Sequence, residues 1–423
     1  MTTLKLPYGK GFLDAYIPDD RLLGILEPQA LPKVIENQAA VVRRSVERPI
    51  GSPLLSELAR GKKSVVIIAS DHTRPVPSKL ILPHLLEEIR KGSPAAEVAI
   101  LVATGAHRST SASELEEKFG REIIEKEKIV IHDCDDRANL VRLGTLPSGG
   151  ELWLNRLAVE ADLLVSEGFI EPHFFAGFSG GRKSVLPGIA GRETVYYNHN
   201  AEFIDSPFAR AGILCSNPIH TDMVYAAKAI GLSFICNVVL NSDKEVVFAV
   251  SGDCEKAHEA GCEWLSEHCM VNRAEADIVI TTNGGYPLDQ NIYQAVKGAA
   301  SAEVCVREGG VIIMCAQSAD GHCGEGFYET FRNERSLDDI LAGFRETPKE
   351  KTVLDQWQSQ IFARVLEHAS IVYVSDAPDE MVRDLRMIPA HSVEEAIAVA
   401  DSILGTKNGK ITVIPDGVSV IIK

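Results

Sequence analysis

Ser64-Val-Val-Ile-Ile-Ala-Ser-Asp71, the helix-like stretch Ser78 to Lys91 and Glu97-Val-Ala-Ile-Leu-Val-Ala-Thr104 together decide the fold. Each flanking run is continuously apolar rather than alternating, the pattern of a parallel strand covered on both faces. Two such runs joined through a helix make a βαβ unit. The pattern repeats outward, at Lys128 to His132, Ala161 to Val165, Phe234 to Leu240, Ile278 to Thr281, Gly310 to Cys315 and Ile371 to Val374. Helical periodicity fills the gaps at Ser111 to Lys126, Cys254 to Cys269, Ser336 to Arg345 and Ser392 to Leu404. The expected fold class is α/β, with two doubly wound α/β domains and the ligand site in the cleft between them. Residues 1–270 form the first domain and 271–408 the second. The last stretch, 409–423, reads as a terminal hairpin that can join either.

Composition narrows the class. The 423 residues carry 43 Lys and Arg against 59 Asp and Glu, a net charge of −16. Such a chain is poorly suited to nucleic acid or to an anionic membrane surface, although a local basic pocket for a small anion remains compatible with it. No run approaches the length of a membrane span, and the first residues hold no apolar core of signal-peptide length. The nine cysteines include no C-x-x-C pair, which argues against a disulfide framework and a zinc ribbon. The expectation is a cytoplasmic enzyme with reduced thiols and no nucleic-acid or membrane partner.

In open α/β sheets ligands bind at the carboxyl ends of strands, so the residues following the strands carry the chemistry. Asp71-His-Thr-Arg-Pro-Val-Pro77 offers Asp71, Thr73 and a guanidinium, Arg74, in a loop stiffened by two prolines. The same segment could simply be a turn that caps the helix from Ser78. Ala103-Thr-Gly-Ala-His-Arg108 places His107 at the next strand end. Glu171-Pro-His-Phe-Phe-Ala-Gly-Phe-Ser-Gly-Gly-Arg-Lys-Ser184 is the densest segment, with His173, Gly180, Gly181 and Lys183, and Asn198-His199 follows. It nearly spells a phosphate-binding P-loop, but Arg182 stands where that loop needs glycine. In the second domain, Gly284-Gly-Tyr-Pro-Leu-Asp-Gln-Asn291 leads into a helix bearing Tyr293, Gln294 and Lys297. The last two share a face and can hold a carboxylate. No nicotinamide fingerprint, zincin motif or nucleophile elbow is present.

Taken in order, Asp71-His-Thr-Arg-Pro, Thr104-Gly-Ala-His-Arg, His173-x-x-x-Gly-x-Ser-Gly-Gly-x-Lys183, Asn198-His199 and Gly285-Tyr-Pro-x-Asp-x-Asn-x-Tyr-Gln-x-x-Lys-Gly298 resemble the nickel-pincer lactate racemase family over nearly the whole chain. The resemblance implies a racemase or epimerase of 2-hydroxy acids. Its cofactor would be a nickel-pincer nucleotide, a pyridinium-3-thioamide-5-thiocarboxylic acid mononucleotide bearing nickel, joined covalently to Lys183 and loaded by cofactor-biosynthesis enzymes. His199 would complete the nickel coordination, compatible with a planar four-ligand Ni(II) site. Asp71, Thr73, Arg74, Gly180 and Gly181 would serve the nucleotide, His107 and His173 would be the acid/base pair, and Arg74, Tyr293, Gln294 and Lys297 would hold the substrate. The first domain would then bind cofactor and the second substrate. Two other readings compete: a zinc hydrolase using His107, His173 and His199, and a non-catalytic phosphate- or nucleotide-binding protein using the glycine loop alone. Oligomeric state and the roles of His322 and Cys323 are not legible.

Overall fold

The computed structural model describes residues 1–29, 31 and 37–423. Val65 to Ala69 are each at most 2% exposed. A strand sealed on both faces has no polar side to alternate with, which explains the unbroken apolar run. Each large side chain so buried contributes about 1.5–3 kcal/mol. Truncating Ile67 to alanine would cost about 2–5 kcal/mol.

This strand, Ser64–Ser70, sits inside a six-stranded sheet. Glu97–Ala103 and then Lys128–Ile131 extend it on one side. Leu163–Phe169 and then Leu232–Leu240 extend it on the other, all parallel, and Val246–Gly252 closes that edge antiparallel. The chain therefore reverses its direction of growth between Ser64–Ser70 and Leu163–Phe169. A crevice opens at the carboxyl ends of strands at such a switch point. The second six-stranded sheet is wholly parallel among its described pairings. Ala276–Thr282 is followed outward by Val306–Cys315, Ser370–Val374 and Ile388–Ala390. Ile411–Ile414 then returns to the far side of Ala276–Thr282, which makes a second switch point.

Three sequence expectations change. Residues 409–423 form no hairpin. Ile411–Ile414 joins the second sheet, while Ile421–Ile422 pairs in parallel with Met270–Val271. The first 26 residues, assigned by sequence to the first domain, lie with the second. Leu22–Ile25 pairs with Ile411–Ile414, and the hairpin Thr2–Tyr8/Gly11–Ile17 packs Leu6, Ala15 and Ile17 against Ile278, Ile280 and Val311. A four-residue strand that pairs with the far end of the chain leaves no local signal of its partner. The helical stretch from Ser111 is two helices, Ala112–Phe119 and Arg121–Lys126, because Gly120 between them has φ +82°.

Candidate active site

Asp71 ends its strand almost fully buried. One carboxylate oxygen accepts a 2.7 Å hydrogen bond from His107 Nδ1, and the other accepts from the Thr73 amide (3.2 Å) and hydroxyl (2.7 Å). Burial works to raise the Asp71 carboxyl, but the His107 and Thr73 bonds and the Arg74 charge hold it below its ordinary range. Nδ1 of His107 is thus fixed as the donor, which leaves Nε2 to exchange a proton. Arg74 reaches back to the Thr73 hydroxyl (3.0 Å) and is otherwise exposed, with no carboxylate partner among the described residues. The His107 loop is tied to the glycine loop, since the Gly105 amide donates to the Gly188 carbonyl at 2.9 Å.

The glycine loop follows the strand across the switch point. Pro172–His173 and Gly177–Phe178 form a two-residue antiparallel pair, and Gly181–Ser184 is a single 3-10 turn. Phe175 is the hub. Its ring centroid lies 4.5 Å from that of His173 and 5.2 Å from that of His199, with Lys183 Nζ 6.0 Å away. His173 Nδ1 accepts from the Ala176 amide at 3.2 Å. Burial, then the charges of Lys183, Lys297 and Arg74, hold this imidazole well below its ordinary value. His199 follows the helix Arg192–Asn198 and stands edge-on to Phe175 and to Trp357 of the second domain. Burial, then Lys183, pushes it down to about 3, so it is neutral. Its Nδ1 is sealed without a partner, which leaves Nε2 to reach a ligand. Lys183 Nζ has no hydrogen-bond or carboxylate partner among the described residues. Burial, then the Arg182 and Arg74 charges, lowers its ammonium well below the usual lysine range.

The glycines answer to packing. A Cβ on Gly180 would fall 2.8 Å from the Phe169 carbonyl, and one on Gly181 would fall 2.7 Å from the His258 ring. The Gly181 amide already donates to buried Asn237 Oδ1 at 2.7 Å, so it is not free to cradle a phosphate.

The second domain faces this loop with its own switch point. Asn291 caps the helix Ile292–Glu303 by accepting from the Gln294 amide at 3.0 Å. Lys297, three residues after Gln294, faces the interdomain cleft. Glu171, His173 and Phe174 line that cleft from the first domain, and Leu288, Ser301 and Gly417 line it from the second. Burial, then Arg74, lowers Lys297 to about 8 against the pull of Glu171. Burial raises the Glu171 carboxyl against the charges of Lys297, Arg74 and Lys183. Tyr293 is turned to other work, its hydroxyl donating to Asp355 at 2.7 Å. His322 stacks on Tyr328 with centroids 4.2 Å apart.

His173, Lys183 and His199 therefore meet, with Lys297 across the cleft, while His107 stands with Asp71, Thr73 and Arg74 on the adjoining strand ends. Sequence reasoning missed Glu171 as a site carboxyl, Phe175 as the hub and Trp357 as the wall behind His199. The first two lie inside the segment quoted above; Trp357 has no signal in sequence. The three histidines do not converge as metal ligands. Among the described residues, the group of acidic, Cys or His ligand atoms gathered within 4.8 Å is Asp133, Cys134 and Asp135, away from them. The residues would fit a flat metal-bearing group beside Phe175, because a neutral imidazole is the form that ligates a metal and an unprotonated amine is the form that takes an acyl group.

The chain is similar to known proteins over its whole length. Residues 8–212 match the lactate racemase N-terminal domain and 271–422 the lactate racemase C-terminal domain. The chain is 52% identical to a lactate racemase of Thermoanaerobacterium thermosaccharolyticum and 50% identical to one of Lactiplantibacillus plantarum, covering 100% of both chains in each case. The apoprotein structure of the Thermoanaerobacterium lactate racemase superposes with a TM-score of 0.97 at 51% identity over the full length of both. A Thermotoga maritima crystal structure, 19% identical with a TM-score of 0.62 over 94% of this chain and all of the other, shares the fold alone. Both halves of the molecule place the chain in the lactate racemase family, and it is an isomerase.

Proposed function

We propose that this isomerase inverts C2 of lactate, or of a closely similar 2-hydroxy acid, with a nickel-pincer nucleotide joined to Lys183 and ligated through His199. The observation that carries the reading is the Phe175 cluster: an unpaired amine, a neutral imidazole and a second histidine around one aromatic ring, opposite Lys297. Lys297, with Gln294 on the same helix face and Arg74 opposite, holds the substrate carboxylate. His107 Nε2 takes the hydroxyl proton of one enantiomer while Asp71 steadies the imidazolium, and His173 serves the other. When bound, the nucleotide supplies an electrophilic carbon that accepts and returns the C2 hydride, by way of a planar 2-keto acid. The walls of the cleft exclude water, and domain closure completes the site. The nine free cysteines fit a reducing, cytoplasmic compartment.

The test is production together with cofactor-biosynthesis enzymes. Intact mass should show an adduct that maps to Lys183 and is absent from Lys183→Ala, with nickel bound and lactate racemised. Substrate deuterated at C2 should keep its deuterium in ordinary water. An adduct elsewhere removes Lys183 from its role, and washout of the label means that the histidines act on carbon instead.

A further inference from the structure

Arg182 filled an unassigned position in the sequence motif, yet it is among the largest fully buried side chains of the described residues. Its Nη2 donates to the Ala176 carbonyl at 2.7 Å. Its Nη1 lies 2.8 Å from the Phe178 carbonyl, 3.4 Å from that of Ser179 and 3.2 Å from that of Gly180. Its Nε donates to His220 Nδ1 at 3.0 Å, and His258 Nε2 lies 3.0 Å from Nη1 and 2.8 Å from the Ser179 carbonyl. No carboxylate pairs with it among the described residues. A buried charge is ordinarily paired, because desolvating it alone is costly. Here carbonyl oxygens and two imidazoles replace the counter-ion. The four carbonyls span the loop between His173 and Lys183, and the Ala176 amide on that same loop is the donor to His173 Nδ1.

We propose that Arg182 is a positioning residue for Lys183: a buried guanidinium without a counter-ion that staples the loop and projects the lysine amine, unpartnered, into the cleft. Neighbours in a tight turn point to different sides, so the guanidinium enters the core while the amine enters the site. Burial first, and then the uncompensated positive charge beside it, disfavours a charge on Nζ. Arg74 and Lys297 act in the same sense and Glu171 in the opposite one. The imidazoles of His173, His199 and His258, which also feel the Lys183 charge, are held neutral by burial. Lys183 is thereby biased toward the free base, the form that bonds to an acyl carbon.

The inference rests on Lys183 as the attachment point, but its test does not need the cofactor. Protein without cofactor is labelled with acetic anhydride across a pH series. Nζ bonds to the carbonyl carbon, acetate leaves and Nζ sheds one proton. Labelling of Lys183 is followed by peptide mass against exposed Lys407 as internal reference. In the unsubstituted protein the Lys183 midpoint should lie clearly below that of Lys407. In Arg182→Met it should move up toward Lys407, with at least about a tenfold loss of relative labelling at pH 7. Arg182→Lys keeps the charge but cannot span the carbonyls, so the midpoint should stay while the rate at high pH falls. Arg182→Lys also keeps the proposal testable if the methionine variant does not fold, as judged by circular dichroism. A midpoint equal to that of Lys407 in the unsubstituted protein, an Arg182→Met protein that labels unchanged, or an Arg182→Lys protein with an unchanged high-pH rate would overturn it. Normal labelling with no cofactor adduct on Lys183 would instead fault the attachment reading and leave the staple standing.

Discussion

The two histidines that sequence treats as an equivalent pair live in opposite surroundings. The His107 side chain is 44% exposed and leans on a buried carboxylate, while the His173 side chain is half-buried and leans on a backbone amide. Asp71 makes His107 Nδ1 a donor and so leaves Nε2 a lone pair. The Ala176 amide makes His173 Nδ1 an acceptor, so the neutral ring carries its proton on Nε2. Around His173 burial first, and then neighbouring positive charge, opposes a gained proton. One is preset as a base and the other as a donor. Balanced chemistry on two mirror-image substrates thus starts from an unbalanced pair, and closure over an anionic substrate is what would bring them level.

The largest expected effect tests the enclosed side as a whole. His173, His199, His220 and His258 are all held neutral, chiefly by burial. Below about pH 6.5 the unfolded chain protonates them and the native chain does not, so the unfolded state binds more protons and stability falls with pH. The loss should begin near that value and continue toward pH 3, at up to about 1.4 kcal/mol per group for each pH unit. Urea midpoints between pH 7 and 5 measure it, and a flat curve would mean that these rings are charged in the native state.

Replacing either histidine by alanine should cost about 10²–10⁴-fold in racemisation while leaving Lys183 modified. A variant with near-normal turnover would remove that ring from the chemistry. Lys297→Ala should weaken substrate binding by about 2–5 kcal/mol if its partner is a buried carboxylate, seen as a raised KM. Unchanged KM and kcat would take Lys297 out of the site. Asp71→Asn should cost about 10–100-fold, because it releases the orientation of His107 and nothing around His173. Equal sensitivity of the two regions to this change would erase the contrast between them. The smallest effect is the subtlest. Mirror-image substrates have equal free energy, so kcat/KM must match in the two directions; the asymmetry should appear as kcat values that differ by a factor of about a few, compensated in KM. Identical kcat values would show that closure has made the pair symmetric.

Much of this was legible in the chain. The strands fell where continuous apolar runs placed them, because burial on both faces leaves a one-dimensional trace. The motif residues stood at strand ends, which the α/β rule singles out. What escaped was long-range or oriented. Trp357 reaches His199 from a helix of the other domain. Gly181 reads as a phosphate cradle, yet its amide is taken by Asn237 from a distant strand. Tyr293 sits correctly on its helix but turns its hydroxyl to Asp355. Residue type and spacing can nominate a side chain, but only the packing around it decides where its polar atoms point.

The interleaved ends of the second sheet bear on how the protein is made. Leu22–Ile25 is an outer strand whose described partner is Ile411–Ile414, far later in the chain. At about 5–20 residues per second, the early strand waits on the order of tens of seconds for its mate to leave the ribosome. The first domain can meanwhile complete its own sheet, but the second cannot. Until then Leu23 and Ile25 belong to an unpaired strand edge, the kind of surface that invites pairing with another nascent chain. Removing Ile411–Ile414 would take away the neighbour on which Leu22–Ile25 depends, so a segment translated late licenses one translated early.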